Sequence, residues 1–487
     1  MKSRTALISE GAWSGAGILL WVAALAVSTG AVALDWHLAI PFILAALSLV
    51  FLFVLKVVRE PMMLVAAMLL AVVLIPPFYT GALGETPIYV STLLIPIGVV
   101  VVLVRLPDFK FRLDPIALGL LVFLLGTGLS LPFGWWLSGV EVGNQGFFRW
   151  LMLCQCGLVY CLIRGGACQH GTQLERAMMT ILFIAAVLTA AYGIVDFIWP
   201  IPIPHPAAHQ FIWLRTSIMR RAQGVFYEAG NFGNLCAFFL ILAASALVSK
   251  REHEIGVPLP MLLTFAGILS AAVFVSFTRS TWISVLVAII AFICVAGGVR
   301  WHRVALLCVV LGAPVLLLPF YSQSLWNYLV SARIGNLAQI LTHPNLASSG
   351  RFDTWSSVIS LLASHPGYLL FGIGYKTLPF TRLFHDPIIS DNGFLNLLIE
   401  CGVVGLGAFL FFSAAVFRTF LRAARKETGI AAFWGAVLFS FWCGEWAQMM
   451  AVDAYTYWRN MTVFVAVMGL VMNRLDRAKP HAISAQV

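Results

Sequence analysis

The sequence predicts an all-α, polytopic integral membrane protein of about 12–14 transmembrane helices, in which apolar runs of helical length dominate. Three observations predict it. Of 487 residues, 61% are hydrophobic and only 10% are charged, and the mean hydropathy is +0.94. No water-soluble core looks like this. The apolar residues fall into separate runs of spanning length. The Lys and Arg residues between the runs alternate, so that every second loop is basic, as the positive-inside rule requires.

The expected spans, in order, are 15–34, 38–55, 62–79, 88–104, 115–131, 147–163, 178–198, 231–248, 257–277, 281–299, 304–320, 393–417, 430–446 and 460–473. Lys2 and Arg4 precede the first, with no cleavage site, so an uncleaved N-terminus is expected. Lys56 and Arg59 follow the second span, and Arg105, Lys110 and Arg112 the fourth. Arg164 and Arg176 lie between the sixth and seventh, and Lys250 and Arg251 between the eighth and ninth. Arg300 and Arg303 follow the tenth, Arg418, Arg422, Arg425 and Lys426 the twelfth, and Arg474, Arg477 and Lys479 the last. These loops, and both termini, are expected on the cytoplasmic side. Pro76-Pro77 and Pro96 mark the third and fourth spans as candidates for broken helices. The chain reads as one helical domain, 1–487, with two long outward loops at 199–230 and 321–392. Within the second, apolar residues at 352, 355, 358, 361 and 362 predict an amphipathic helix over 351–364. It is expected along the membrane surface, with Trp355 at headgroup depth and His365-Pro366-Gly367 as its stop.

The formal charge of +10 therefore sets topology and does not imply nucleic acid. The nine cysteines make no metal or redox pattern, Cys154 and Cys156 being spaced C-x-C. No metal or cofactor is expected. Ten cations break the topology rule by falling in outward loops: Arg149, Arg215, Arg220, Arg221, Arg279, Arg333, Arg351, Lys376, Arg382 and Arg459. Arginine presents a rigid fork of donors that matches phosphate oxygens. Arginines on the outer face therefore point to an anionic, phosphate-bearing substrate.

Three places carry candidate chemistry. In the first, Arg220-Arg221 leads through Gly224 and Tyr227 to Gly230-Asn231-Phe232-Gly233-Asn234, a glycine-punctuated turn that backbone and ligand could share closely. A basic loop facing lipid phosphate has the same composition. The second is Ser276-Phe277-Thr278-Arg279-Ser280-Thr281-Trp282, a tight turn in which Ser280 or Thr281 is expected to cap the next helix and Arg279 is free to snorkel. The third runs from Phe371-Gly372-Ile373-Gly374 through His385 to Ser390-Asp391-Asn392 and on to Glu400 and Gly402. Asp391 is either a helix cap or a general base for an acceptor hydroxyl, and His385 is its rival as base. Glu400 and Glu445 are intramembrane acids that either serve function or tie helices together. Trp135, Trp136, Trp199, Trp213 and Tyr227 are candidates for stacking on sugars or for the interfacial belt.

In this order the three sites resemble the family of O-antigen ligases and Wzy-type polysaccharide polymerases. The resemblance is carried by Arg221, Gly224, Phe226 and Asn231, by Thr278-Arg279-Ser280, by Arg351 and Trp355, by Gly372-Ile373-Gly374, and by Asp391-Asn392, Leu395 and Gly402. It covers roughly residues 215–410. It implies an inverting, metal-independent glycosyltransferase of the inner membrane that works on the periplasmic face, with a sugar chain on undecaprenyl diphosphate as donor. It implies Asp391, Arg279 and Arg221 as catalytic residues, the arginines neutralising the leaving diphosphate. It implies Arg220, Arg215, Asn231, Arg351, His385 and Asn392 as substrate-binding residues. Asp391 stands where the ligases of the family carry histidine. That departure favours a polymerase of lipid-linked repeat units for exopolysaccharide, capsule or O-antigen over a ligase to lipid A-core. It also requires desolvation or a close partner to make the carboxylate a useful base.

The implied partners are the lipid-linked donor and acceptor, the bilayer, and a chain-length regulator as a further candidate. A flippase for the same lipid-linked sugar is the rival class. Transporters tend to show repeated halves and ionisable groups at the bilayer midplane. This sequence has no such repeat, and its unusual charges lie in loops.

Overall fold

The computed structural model describes residues 53, 56–77, 89–109, 113–166, 172–199, 211–213, 218–226, 228–331, 345, 350–381, 383 and 388–478. Over these residues the protein is an all-α, multi-pass membrane protein. Its helices, in chain order, are α1 Pro61–Leu74, α2 Val90–Leu93, α3 Ile95–Arg105, α4 Pro115–Gly128, α5 Leu131–Ser138, α6 Val140–Gly166 and α7 Thr172–Ile198. Then come α8 Ala229–Ser249, α9 Leu259–Val275, α10 Arg279–Val295, α11 Trp301–Tyr321, α12 Gln323–Tyr328, α13 Arg351–Ser364 and α14 Tyr368–Phe371. The chain closes with α15 Gly393–Lys426, α16 Gly429–Met449 and α17 Trp458–Ala478. Each expected span from 62–79 onward overlaps a helix, although the one at 62–79 is helical only to Leu74 and the one at 88–104 is divided at Leu94, and residues 78–79 and 88 lie outside the described residues. Those at 15–34 and 38–55 lie outside the described residues, Phe53 apart. Among the described residues, seven helical segments are long and apolar enough to cross a membrane, α4 and α5 counting as one, and four shorter segments are apolar, α2 and α3 counting as one.

The boundaries differ from expectation where local chemistry decides them. α15 does not stop near 417 but continues to Lys426, so Arg418, Arg422 and Arg425 line a helix and not a loop. Residues 211–213 and 218–220 form a two-stranded antiparallel hairpin, β1 and β2, inside the first long loop. The amphipathic helix over 351–364 forms where expected, as α13. Trp355, however, donates its indole N–H to the Ser390 carbonyl at 2.6 Å, tying α13 to the chain before α15.

The prolines of the third expected span end α1 and leave a defect that the fold repairs. Pro76 and Pro77 have no amide hydrogen to give the carbonyls four residues back. Those carbonyls belong to Val72 and Val73. Arg459 of α17 donates to Val72 O, with Nε at 2.9 Å, and also to Ile75 O at 3.0 Å. Thr189 of α7 donates its hydroxyl to Val73 O at 2.9 Å. Arg459 further donates to Val225 O and lies over the Tyr89 and Phe226 rings. One of the ten outward cations is thus a structural staple.

α8 is the centre of the bundle. Beyond Asn231 and Asn234 in its first turns it is almost wholly apolar, 94% of its most apolar stretch is buried, and it packs against α7, α9, α10, α11, α16 and α17. α11 is the opposite case, with only 11% of its stretch buried and Val309, Leu316, Leu317 and Phe320 exposed, as a lipid-facing helix requires.

Charge segregates between the two ends of the bundle as the loop alternation predicts. At one end Arg164 pairs with Asp114 and Asp476, Arg303 with Glu252, Arg474 with Glu175 and Glu254, and Arg477 with Glu175. At the other, Arg220 pairs with Asp196, Arg351 with Asp391 and Lys376 with Asp453. No described ion pair joins the two sets. α6 carries Arg149 toward one end and Arg164 toward the other, about 22 Å apart at 1.5 Å per residue.

Candidate functional site

The second charged end is built from four loops. The first holds Arg221. Its Nε donates to Ser276 O at 2.8 Å and its Nη2 to Thr278 Oγ1 at 2.6 Å. The neighbouring amide of Ala222 donates to Val275 O at 3.2 Å. The last carbonyls of α9 lack helical donors, and this loop supplies them. Phe277 takes a left-handed φ of 50°, which turns the chain from α9 into α10. Thr278 is then the N-cap residue of α10 and Arg279 its first residue. The expected cap at Ser280 or Thr281 does not form. Thr281 instead accepts from Gln448 Nε2 at 3.2 Å.

The glycines after Arg221 admit neighbours from within the chain. A Cβ at Gly230 would lie 2.6 Å from the Tyr457 hydroxyl, and one at Gly233 would lie 2.6 Å from Ser276 Oγ. Asn234 donates to Glu445 Oε2 at 2.9 Å and Gln448 Oε1 at 3.1 Å, and accepts from Asn460 Nδ2 at 2.8 Å. Glu445 therefore ties α16 to α8. Asn231 gives its backbone carbonyl to Asn460, while no described donor reaches its buried Oδ1.

The third loop is held by an interlock of glycines. Gly402 breaks α15 with φ 66° and ψ −171°, which frees the carbonyls of Ile399 and Glu400. The amides of Ile373 and Gly374 take them, at 2.9 and 3.0 Å. A Cβ at Gly372 would overlap the Glu400 backbone, and one at Gly402 would overlap the Leu370 carbonyl. The Glu400 carboxylate turns into the same loop and accepts from Leu378 N at 3.3 Å. The interlock delivers Lys376, whose carbonyl accepts from Arg149 Nη1 at 3.2 Å and whose Nζ meets Asp453.

Asp391 is not the cap of α15. Asn392 is: its Oδ1 accepts from Phe394 N and Leu395 N at 3.1 and 3.0 Å. Asp391 sits one residue earlier at φ 47°, with 42% of its side chain exposed, and its Oδ2 lies 3.3 Å from Arg351 Nε. Partial burial and the nearby Asp453 charge raise its pKa above the ordinary carboxylate value, against the pull of Arg351 and Lys376. Glu228, just before α8, is pushed up to about 7 by burial and by Asp453 and Asp391, with Lys376 and Arg221 opposing. Charges from the Arg221 loop, the Lys376–Asp391 loop and the turn at Asp453 thus act on one another here.

Of the residues singled out in the sequence, the structure brings Arg221 to the turn that opens at Arg279, and Arg351 to Asp391. Arg220 instead turns to the buried Asp196 of α7. Asn392 is a cap and also donates to Met450 O at 3.3 Å. Arg215 and His385 lie outside the described residues, as do Tyr227, Arg333 and Arg382. Trp136 and Trp199 are exposed, while Trp135 is tied to Asn144 at 2.9 Å. Sequence reasoning passed over Asp453, Glu228 and Tyr457. All that the sequence offers for Asp453 is a lone carboxylate in a short turn between two apolar spans. Among the described residues no three His, Cys, Asp or Glu side chains are grouped so as to hold a metal ion.

Compared with known protein families, residues 264–410 match the family model described as O-antigen ligase. The match runs from α9 across the Arg279 turn, α13 and the glycine interlock into α15. Arg221 and Asp453 lie outside it. No curated protein matches the chain.

Proposed function

We propose that this protein, whose residues 264–410 match the family model described as O-antigen ligase, is a glycosyl-transferring enzyme, a polymerase of lipid-linked repeat units. The donor is an oligosaccharide on undecaprenyl diphosphate and the acceptor a second such chain. Transfer takes place on the periplasmic face of the inner membrane. The observation that carries this reading is the binding of Arg221 to Ser276 and Thr278, next to Arg279. The Arg221 guanidinium is thus bound to the turn that carries Arg279, so that arginines of two separate loops meet at one turn, which suits a diphosphate.

Asp391 takes the proton of an acceptor hydroxyl. The hydroxyl oxygen attacks the anomeric carbon from the face opposite the diphosphate, and the bond from that carbon to the diphosphate oxygen breaks. The configuration inverts, and the undecaprenyl diphosphate leaves with its charge met by Arg221 and Arg279. The raised pKa of Asp391 supports its role, because a carboxylate of ordinary pKa is a poor proton acceptor. Asp391 in place of histidine favours polymerase over ligase.

The test is a gel of lipid-linked and cell-surface glycans from a strain lacking this protein, complemented with wild type or Asp391→Asn. Single repeat units without polymer, rescued by wild type alone, are the expected result. Full-length polymer held on its lipid carrier, with lipid A-core unmodified, would make the protein a ligase. Repeat units trapped on the cytoplasmic face would make it a flippase.

A further inference from the structure

We propose that the Lys376–Asp453 ion pair is the positioning element of Asp391: it holds the 450–457 turn against the start of α15 and balances the charge that the carboxylate faces. The inference rests on the reading of Asp391 as proton acceptor.

The geometry is a short chain of fixed contacts. Lys376 lies in a left-handed conformation, φ 56°, directly after the glycine interlock, and Arg149 holds its carbonyl. Its Nζ reaches Asp453 in the turn between α16 and α17. That turn is packed on the residues next to Asp391. A Cβ at Gly393 would lie 3.4 Å from Asp453 Cα and 3.3 Å from Val452 O. Asn392 donates to Met450 O of the same turn. So the pair fixes the backbone that Asn392 and Gly393 rest on, and with it the place of Asp391. Both members of the pair are largely buried, each with 19% of its side chain exposed, so their charges are weakly screened.

The charged and titratable groups acting on Asp391 are Arg351 from α13, Lys376, Asp453, Glu228 at the start of α8 and Tyr457. Lys376 stabilises the ionised carboxylate and Asp453 opposes it. Breaking the pair from its two ends must therefore have opposite effects on Asp391, although the same contact is lost. A merely structural pair would not distinguish its ends in this way.

The experiment uses the full-length protein in lipid nanodiscs. Lipid-linked oligosaccharide extracted from cells lacking the protein serves as donor and acceptor, with lipid A-core as a second acceptor. Turnover is followed against pH for wild type, Lys376→Met, Asp453→Asn, Lys376→Arg and Asp391→Asn, each brought to equal monodisperse protein. Lys376→Met is expected to move the acidic limb of the profile up, and Asp453→Asn to move it down, each on the order of one pH unit. Lys376→Arg keeps the pair and the wild-type limb. If one single variant fails to fold, the direction of the other still decides. Limbs that stay in place, or move the same way, overturn the inference when Asp391→Asn is inactive. An active Asp391→Asn overturns the reading of Asp391 itself, and this inference with it.

Discussion

Arg221 donates through Nη2 to Thr278 Oγ1 at 2.6 Å, and the next residue after that threonine is Arg279. The contact fixes one guanidinium by two hydrogen bonds and sets it beside the entry to α10. A lysine at 221 could keep the charge but not both bonds, because Ser276 O and Thr278 Oγ1 are met by different nitrogens of one planar fork.

Arg221→Lys and Arg279→Lys are accordingly expected to fold and to lose activity by roughly 100-fold, the usual scale for removing one preorganised donor from a developing anion. Polymer synthesis at matched protein level, with monodispersity by size exclusion, is the check. Either lysine variant with wild-type activity would remove that arginine from the diphosphate site.

As the proposed proton acceptor, Asp391 is expected to set an acidic limb in the pH profile. Its pKa is raised, so it is protonated, and useless as a base, at pH values where a solvent carboxylate would still be ionised. Activity is therefore expected to fall as pH drops through a value above the ordinary 3.8 of an aspartate. Arg351 favours the ionised form, so Arg351→Gln is expected to move the limb to higher pH. A limb shifted to lower pH in that variant would contradict the Arg351–Asp391 contact.

The helices were legible in the sequence because spanning runs and loop charge are strong, local signals. The expected span at 231–248 became α8, the buried centre, and the motif helix over 351–364 formed with its predicted bounds. What was not legible was the destination of each charge. Arg459 and Arg221 share an outward loop assignment, yet one fills carbonyls orphaned by Pro76 and the other reaches the Arg279 turn. Only three-dimensional packing separates them. Asp453 was missed because a single acid in a short turn has no pattern of its own until Lys376 arrives from a distant loop.

The glycine interlock gives a prediction with an internal control. Gly402→Ala adds a Cβ that overlaps the Leu370 carbonyl, at φ 66° and ψ −171°, a backbone conformation essentially restricted to glycine that costs a side chain about 1–3 kcal/mol. It is expected to misplace Lys376 and abolish activity. Gly407 lies in the same helix with open space around its Cβ position. Gly407→Ala is expected to leave activity intact and to raise stability slightly, by about 0.5–1 kcal/mol. Activity assays and thermal unfolding of both variants decide whether the break at Gly402 matters or whether any added methyl in α15 does harm.

Arg459 offers the sharpest test of a structural cation. Arg459→Met keeps the apolar stem over Phe226 but leaves the Val72 and Ile75 carbonyls buried without their donor. Each unsatisfied group costs about 1–3 kcal/mol, so a large fall in thermal stability is expected. The cause of the defect is the missing amide of Pro76, which suggests its own remedy. Pro76→Ala restores an N–H four residues after Val72 and lets α1 add a hydrogen bond. In the Arg459→Met background, Pro76→Ala is expected to recover part of the lost unfolding temperature, whereas in the wild-type background it competes with Arg459 and gains nothing. A double variant no more stable than Arg459→Met would mean that the arginine acts through its ring contacts with Tyr89 and Phe226, and not through the orphaned carbonyl.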